Sequence, residues 1–160
     1  MGVLSDTHGH LYSEVKDALA GVDHIVHAGD IGSPWVLGDL RKIAPVTAVR
    51  GNTDLDAWSQ ALPAVATVDL AGVKVVVRHQ LDPKEWRVAP GSGPSTVDSP
   101  AGHTLVVSGH SHIASIEERG RVLFLNPGSA GPQRFGRPRA LALVEIRDGS
   151  ASAEIVIVAG

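Results

Sequence analysis

The chain has 160 residues, 43% of them hydrophobic, and a formal net charge of −3. This length supports one well-buried core and is too short for two ordinary domains, so we expect a single domain over residues 1–160. No apolar run approaches the roughly 20 residues of a membrane span, and the first residues do not resemble a signal peptide, which together predict a cytoplasmic protein without a membrane partner. The absence of cysteine excludes disulfides and thiolate metal ligands.

Strand-like and helical segments alternate in the first half of the chain. Residues 11–20 carry apolar positions at the spacing of an amphipathic helix. A second helix is expected to begin near Ser33 and Pro34, because serine can cap a helix and proline suits its first turn. This alternation predicts a largely parallel or mixed sheet with polar residues at the strand ends. The predicted strands of this half are residues 1–4, 24–28 and 45–50.

The second half is rich in short strands. Residues 64–70 and 73–77 predict a hairpin around a turn at Ala71 and Gly72. Residues 90–102, dense in proline, glycine and serine, predict a long surface loop. The remaining predicted strands are residues 105–108, 113–118, 121–125, 140–147 and 152–158. The most economical arrangement is two packed sheets with helices outside.

Residues with metal-ligand chemistry follow several of these strands. Carboxylate, imidazole and amide oxygen donors are the ligands of a borderline or hard divalent metal ion. Two histidines separated by one residue, in Gly-His-Ser-His, favour a metal-binding role over a structural role. The candidates are Asp6 and His8 in Asp-Thr-His, Asp30 in Gly-Asp-Ile-Gly, Asn52 in Gly-Asn-Thr-Asp, His79, and the pair His110 and His112.

Each candidate also has a structural alternative. Asp6 could cap a helix, Asp30 could belong to an ordinary Gly-Asp turn, and Asn52 could form an Asx turn. His79 could be a core or surface histidine. Asp54 could orient a ligand or cap the next segment. For the remaining histidines, packing, hydrogen bonding or exposure is a better interpretation than coordination; they are His10, His24, His27 and His103.

Read together, the ordered motifs closely resemble the calcineurin-like metallophosphoesterase superfamily, especially its small prokaryotic phosphodiesterase branch. The resemblance covers nearly the whole chain and includes Asn126-Pro-Gly-Ser129. It implies an α/β fold, a four-layer α/β/β/α sandwich of two mixed sheets flanked by helices. It also implies a binuclear metal centre at one sheet edge, with Asp6, His8 and His112 on one ion, Asn52, His79 and His110 on the other, and Asp30 bridging them.

Such a centre has a clear chemical use. Two cations about 3.5–4 Å apart can neutralise a phosphoryl group and hold a bridging hydroxide in line for attack on phosphorus. Neutral histidine and ionised aspartate are required, so metal affinity should fall as the pH drops. We expect two divalent ions, with Mn²⁺ favoured and Fe, Zn, Ni or Co compatible with the donors. Asp30 and Asn52 are the candidate catalytic residues.

The motifs depart from the family pattern at two places. Thr53 stands where many larger relatives carry a histidine that helps the leaving group, so we expect better turnover of aryl phosphodiesters than of alkyl phosphates. Gln80 replaces a glycine beside His79, and Leu81 replaces a second histidine. Arg134, in the arginine-containing segment 133–139, is a candidate ligand for a substrate phosphate. Thr53 is a second candidate for substrate contact. A solvated loop is the alternative for that segment.

The sequence thus predicts a metal-dependent phosphoesterase, a hydrolase acting on a small phosphate ester and most simply a phosphodiesterase. The alternative is a protein-binding scaffold that keeps the fold, like the phosphoesterase-like subunit of the retromer coat. The small negative net charge argues mildly against a large nucleic-acid footprint, and hence against a nuclease. The sequence leaves a homo-oligomer open.

Overall fold

A computed structural model describes residues 1–82, 84 and 102–159. Two α-helices and a short 3₁₀ helix, Ala57–Ala61, accompany ten strands in these ranges. The helices are α1 (Ser13–Ala18) and α2 (Pro34–Arg41). The strands are β1 (Gly2–Leu4), β2 (Ile25–His27), β3 (Val46–Ala48), β4 (Val65–Leu70), β5 (Val73–Arg78), β6 (Thr104–Val107), β7 (Ser115–Arg119), β8 (Val122–Asn126), β9 (Arg139–Arg147) and β10 (Ser150–Ala159).

The strands form two mixed five-stranded sheets. The first has the order β10-β9-β1-β2-β3, with β1, β2 and β3 parallel and β9 antiparallel to both of its neighbours. The second has the order β4-β5-β6-β8-β7, with β5, β6 and β8 parallel and the two edge strands antiparallel. Each sheet therefore presents the carboxyl ends of three parallel strands at one edge, where ligand sites commonly form in α/β proteins.

The main core lies between the two sheets. Val3 and Val26 of the first sheet pack in one apolar cluster with Val75, Leu105 and Leu125 of the second. Every second residue of β5 is buried, because successive side chains in a strand point to opposite faces. This shared cluster holds the two sheets, and hence their edges, in a defined relation.

Both α-helices cover the outer face of the first sheet. Val15 of α1 and Leu40 of α2 are fully buried against Leu4, Ile25 and other apolar side chains of that sheet. The predicted fold of two mixed sheets with flanking helices is confirmed. In the described ranges the outer face of the second sheet carries no α-helix. None of the described helices is long and apolar enough to cross a membrane.

The predicted elements recur with small shifts at their ends. The helix predicted at residues 11–20 is shorter, since α1 spans Ser13–Ala18. Helix α2 begins at Pro34 as expected, but the hydroxyl of Ser33 makes no capping hydrogen bond, so that part of the prediction is wrong. The long loop predicted at residues 90–102 lies outside the described residues except for Gly102.

Candidate metal centre

The seven candidate ligands come together where the two sheets present their parallel strand ends. Four follow strands of the first sheet and three follow strands of the second. The first set is Asp6 and His8 after β1, Asp30 after β2 and Asn52 after β3, and the second is His79 after β5 and His110 and His112 after β6. The cluster therefore depends on the packing of one sheet against the other.

The backbone at this cluster is unusually strained. Five of the candidate ligands have left-handed φ angles, which L-residues other than asparagine and aspartate rarely adopt. These residues are Asp6 (56°), His8 (47°), Asp30 (54°), His110 (66°) and His112 (59°). Strain of this kind persists where the surroundings enforce it and concentrates at functional sites.

Glycines beside the ligands permit a close approach of the loops. A Cβ atom on Gly51 would lie 2.0 Å from Asp30 Oδ1, and one on Gly109 would lie 1.9 Å from Ser5 Oγ and 2.8 Å from Asp6 Oδ2. Gly51 precedes Asn52, and Gly109 precedes His110. Only glycine at these two positions leaves room for the carboxylates of Asp6 and Asp30.

The first group of donors consists of Asp6, His8 and His112, whose ligand atoms all lie within 4.8 Å of one another. Asp6 Oδ1 is 3.2 Å from His112 Nε2 and 3.9 Å from His8 Nε2. Asp6 Oδ1 and His8 Nε2 are both buried and have no hydrogen-bond partner among the described residues. Buried polar atoms without partners are costly, and a cation between them would satisfy both.

The second group centres on Asp30 and His79, both buried. Asp30 Oδ2 lies 3.3 Å from His79 Nε2 and 4.0 Å from His8 Nε2, so one carboxylate oxygen reaches both groups. Asn52 Oδ1 lies 2.9 Å from His79 Nε2 and 3.0 Å from His110 Nδ1. The side-chain oxygen of Asn52 is therefore turned toward the two histidines of the cluster, as a ligand role would require.

The hydrogen bonding of His79 explains why it suits a cation. Its Nδ1–H donates to the backbone carbonyl of Ala28 at 2.7 Å, which directs the other ring nitrogen toward oxygen atoms of Asp30 and Asn52. A lone pair facing oxygen acceptors needs a proton or a metal ion between them. Burial disfavours a charged imidazole, but the hydrogen bond and negative charge of Asp30 outweigh it and raise the pKa of His79.

The electrostatics of the other ligands also suit a cation site. Burial opposes ionisation of Asp30, yet hydrogen bonds from His79 and from the Thr53 backbone N–H hold its pKa well below the usual range. Burial lowers the pKa of His8 despite the nearby carboxylates of Asp30 and Asp6. An ionised aspartate and a neutral histidine are the forms that coordinate metals, so the residues present fit divalent ions.

Side chains behind the ligands tie the ligand-bearing loops together through hydrogen bonds. Asp54 accepts backbone N–H bonds from Gly51, Ile31 and Gly32 at 2.8–3.1 Å, and so links the Asn52 loop to the Asp30 loop. This confirms neither of the simple roles considered for Asp54, since the carboxylate spans two loops rather than capping one segment.

The segment after β8 provides the second connection. Asn126 donates through Nδ2 to the carbonyl of Gly109 at 2.8 Å, and Ser129 donates through Oγ to the carbonyl of Asp6 at 3.0 Å. The Asn126-Pro-Gly-Ser129 motif therefore joins the loop that carries His110 to the loop that carries Asp6. These hydrogen bonds connect the two sheets directly beside the ligands.

His27 provides a third, fully buried connection. Its Nδ1 accepts from the Gly29 N–H at 3.2 Å, and its Nε2–H donates to Thr7 Oγ1 at 2.9 Å, which in turn donates to the carbonyl of Ile31 at 2.9 Å. This chain joins the Asp6–His8 loop to the Asp30 loop. The packing role expected for His27 fits this arrangement, but the sequence contains no signal for the connection to Thr7.

The other histidines lie outside the two donor groups. His24 is paired with Thr47 at 2.8 Å, and His103 Nδ1 accepts from the Ala151 N–H at 3.4 Å. His10 is exposed and bonds the carbonyl of His8 through Nδ1 at 2.9 Å. These contacts agree with the structural interpretations of the three residues.

The residues that depart from the family pattern surround the cluster. Thr53 is exposed and holds Asp30 through its backbone N–H at 2.9 Å. Gln80 is also exposed and, with Leu81, His110 and Ile113, lines a cavity of about 360 Å³ beside the cluster. Gln80 is thus exposed at the cavity, whereas the neighbouring His79 is buried in the cluster.

Comparison with known proteins agrees with this geometry. Residues 1–149 match the calcineurin-like phosphoesterase superfamily domain, so the chain belongs to that superfamily. It is 30% identical to a probable metallophosphoesterase of Methanothermobacter thermautotrophicus over 89% of this chain and 84% of that protein. The family acts on phosphate esters and uses divalent metal ions, and the names of the relatives support a phosphoesterase enzyme.

Solved structures share the fold. A novel archaeal phosphodiesterase aligns with a TM-score of 0.72 and 23% identity, over 97% of this chain and 98% of that one. Wild-type Vps29 from Entamoeba histolytica, solved as a complex with Zn²⁺, aligns with a TM-score of 0.67 and 21% identity, over 98% of each chain. At these identities the alignments show a common fold.

Proposed function

We propose that this protein is a binuclear metal-dependent phosphodiesterase that hydrolyses a small phosphate ester. The observation that carries the proposal is the pair of donor groups with Asp30 between them. Asp30 Oδ2 lies within 4.0 Å of His8 Nε2 and 3.3 Å of His79 Nε2. Asp6 Oδ1 and His8 Nε2 are buried without a partner among the described residues.

The proposed ligand assignment is Asp6, His8 and His112 for one ion, Asn52, His79 and His110 for the other, and Asp30 for both. When bound, two divalent ions supply Lewis-acid neutralisation of phosphate charge and lower the pKa of a water molecule. Hydrogen bonds from His79 and from the Thr53 backbone N–H keep the Asp30 carboxylate ionised, and the Ala28 carbonyl orients the His79 imidazole. Exposed Asn52 and His110 leave one side of the cluster open to a phosphate ester. Mn²⁺ is the ion we favour.

Hydrolysis of bis(p-nitrophenyl) phosphate by purified protein with added Mn²⁺ tests the proposal. We expect turnover that a chelator abolishes and that Asp30→Asn reduces at least 100-fold, because the bridging carboxylate loses its charge. Asp56→Asn is the matched control, since Asp56 is exposed in the same region and should be replaceable. Absence of hydrolysis by folded protein with Mn²⁺, Fe²⁺, Zn²⁺, Ni²⁺ and Co²⁺ would contradict the proposal.

Thr53 provides a finer test of mechanism. Its hydroxyl is a poor general acid, so we expect the rate to fall steeply as the pKa of the leaving alcohol rises across a series of aryl and alkyl diesters. Thr53→His should reduce that dependence by supplying a proton donor. A flat series for the wild type would exclude the inference about the leaving group but not the proposed activity.

A catalytically weak scaffold is the second candidate. Exposed apolar side chains near the cluster favour it, namely Leu55 at 78% exposure and Ile113 at 51%. Since a Vps29 structure contains Zn²⁺, bound metal does not by itself distinguish the two functions. Turnover does, because the scaffold requires no hydrolysis of any diester.

A further inference from the structure

The segment from Gln133 to Arg139 passes beside the candidate metal centre, and its three arginines have different environments. Arg139 is buried, donates through Nε to the carbonyl of Gly131 at 3.0 Å, and lies 3.5 Å from the ring centroid of Tyr12. Arg137 donates through Nη1 to the carbonyl of Ser111, between His110 and His112. These two arginines attach the segment to the protein.

Arg134 differs from the other two. It is exposed, and its guanidinium makes no hydrogen bond or ion pair with the residues that the structure describes. Arg134 directly precedes Phe135, whose ring centroid lies 6.4 Å from that of His112, so its turn lies at the edge of the cluster. A guanidinium held near a metal centre without a carboxylate partner is available to a phosphate oxygen.

Phe135 lies at the tip of the same segment. The N–H of Arg137 donates to the carbonyl of Arg134 at 3.1 Å, which closes a turn with Phe135 and Gly136 at its centre. Both central residues have positive φ, 58° for Phe135 and 66° for Gly136, as in a type I′ turn. Asparagine or glycine is the usual residue at the first central position, so a bulky phenylalanine there is an outlier.

The ring of Phe135 is placed at the edge of the metal centre rather than in a core. It is 82% exposed, and its centroid lies 6.4 Å from that of His112 in an edge-on arrangement. Since burial does not explain the position, a strained and exposed aromatic ring beside a candidate ligand points to contact with a bound molecule.

We propose that Phe135 stacks against a planar aromatic group of the substrate while Arg134 binds a phosphate oxygen. This inference rests on the proposed phosphodiesterase function and specifies its substrate class: phosphate esters that carry an aryl group or a nucleobase. The two side chains are adjacent in one tethered turn, so they would bind two neighbouring parts of the same molecule.

Two phosphonates that are not hydrolysed test the inference by calorimetric titration of Mn²⁺-loaded protein. Phenylphosphonate and cyclohexylphosphonate share a charged group and a six-membered ring, but only the first ring is planar and aromatic. We expect the wild type to bind phenylphosphonate about fivefold more tightly, because stacking adds to the burial of area. Phe135→Ala should abolish this preference, and Phe135→Trp should preserve it.

Arg134→Gln should weaken both phosphonates by a similar factor of about ten, because it removes a charge-assisted contact to their common group. Trp35→Ala, at an exposed aromatic residue on α2, is the matched control and should leave both affinities unchanged. The Mn²⁺ content of each variant should equal that of the wild type, which separates a substrate contact from damage to the metal centre.

The outcomes separate this inference from the proposed function. If the wild type binds neither phosphonate, shows no preference, or retains its preference after Phe135→Ala, the inference is wrong. Turnover of bis(p-nitrophenyl) phosphate in the same preparation would then leave the proposed function standing. A preference that depends on Phe135 without turnover of any diester would support the aromatic contact and exclude the enzyme.

Discussion

Phe135 combines an unfavourable backbone conformation with little burial. The free-energy cost of that conformation should therefore be measurable by substitution. Its φ of 58° is left-handed and its side chain is 82% exposed. Left-handed geometry costs an L-residue roughly 1–2 kcal/mol, and asparagine tolerates it better. We therefore expect Phe135→Asn to raise the free energy of unfolding by about 1 kcal/mol in urea denaturation of metal-free protein.

Leu55→Asn is the matched control for this prediction. Leu55 is 78% exposed and is not among the residues with positive φ. Its replacement should change the free energy of unfolding by less than about 0.5 kcal/mol. A loss of stability on Phe135→Asn would show that the ring contributes more by packing than its backbone costs.

His27 makes stability depend on pH. Burial lowers its pKa from 6.5 to about 3, so the folded protein keeps it neutral where the unfolded chain is protonated. The unfolded state then binds one more proton between about pH 6.5 and 3. The free energy of unfolding should fall with falling pH in that window, with a contribution of up to about 1.4 kcal/mol per pH unit.

Comparison of the wild type with His27→Gln isolates this effect. Urea denaturation in the presence of a chelator, from pH 7 to pH 4, gives the free energy of unfolding at each pH. Its slope against pH should be steeper for the wild type by up to about 1.4 kcal/mol per pH unit, which corresponds to one proton. Glutamine can still donate to Thr7 but cannot be protonated in this range. Equal slopes for the two proteins would mean that His27 is not held neutral by burial.

Loops between strand and helix place the ligands, and glycines determine how closely these loops approach. A Cβ atom at Gly51 would lie 2.0 Å from Asp30 Oδ1, whereas one at Gly38 in α2 would meet nothing within 4 Å. Gly51→Ala should displace the Asp30 carboxylate and weaken Mn²⁺ binding at least tenfold in a calorimetric titration. It should lower the turnover of an aryl diester by a similar factor.

Gly38→Ala should act in the opposite direction. Replacement of glycine inside a helix stabilises by roughly 0.5–1 kcal/mol where space allows, and metal binding should be unchanged. Urea denaturation and the same titration measure both variants. If Gly51→Ala binds Mn²⁺ like the wild type, Asp30 does not contribute to the metal centre in the way proposed.

The elements themselves follow closely from sequence patterns. Alternation of buried and half-buried residues in β5, and the apolar run of β6, mark strands whose ends shift by only a residue or so. The 3₁₀ helix at Ala57–Ala61 was not predicted, because a single short turn contains too few residues for a periodic pattern. Helix α1 is short because Leu19 and Ala20 continue it only as a turn.

At the scale of the whole molecule, the candidate ligands belong to two sheets, so bound metal would connect them. Ligand binding to the folded state alone stabilises it by about 2.7 kcal/mol when free metal exceeds the Kd 100-fold. We expect Mn²⁺ to raise the Tm of the wild type and a chelator to lower it. Asp30→Asn should lose most of the shift, and Asp56→Asn should retain it.

A Tm that does not respond to any of the five candidate metals would contradict a metal centre between the sheets. A shift that survives Asp30→Asn would place the bound ion elsewhere.

The single domain over residues 1–160, the cytoplasmic location and the oligomeric state stay predictions. Size-exclusion chromatography with light scattering would test the oligomeric state, both with and without Mn²⁺.

The sequence by itself determined the order of strands and helices, the family, and the identity of the seven candidate ligands, because local periodicity and short motifs are properties of neighbouring residues. The relation among those ligands depended on the tertiary structure. Asp6 and His112 meet at 3.2 Å only because β1 and β6 end at the same edge of two packed sheets. The spacing of these two residues along the sequence does not indicate that they are in contact.

Tertiary structure also decided which of the ambiguous residues lie together in the candidate cluster. The Ala28 carbonyl orients the ring of His79 through a hydrogen bond. No sequence pattern around His79 indicates that Ala28 is its partner. The exposure of Phe135 and its closeness to His112 likewise arise from a tethered turn that returns to the ligand cluster. Long-range contacts such as these are set by how the sheets pack, which local sequence rules do not encode.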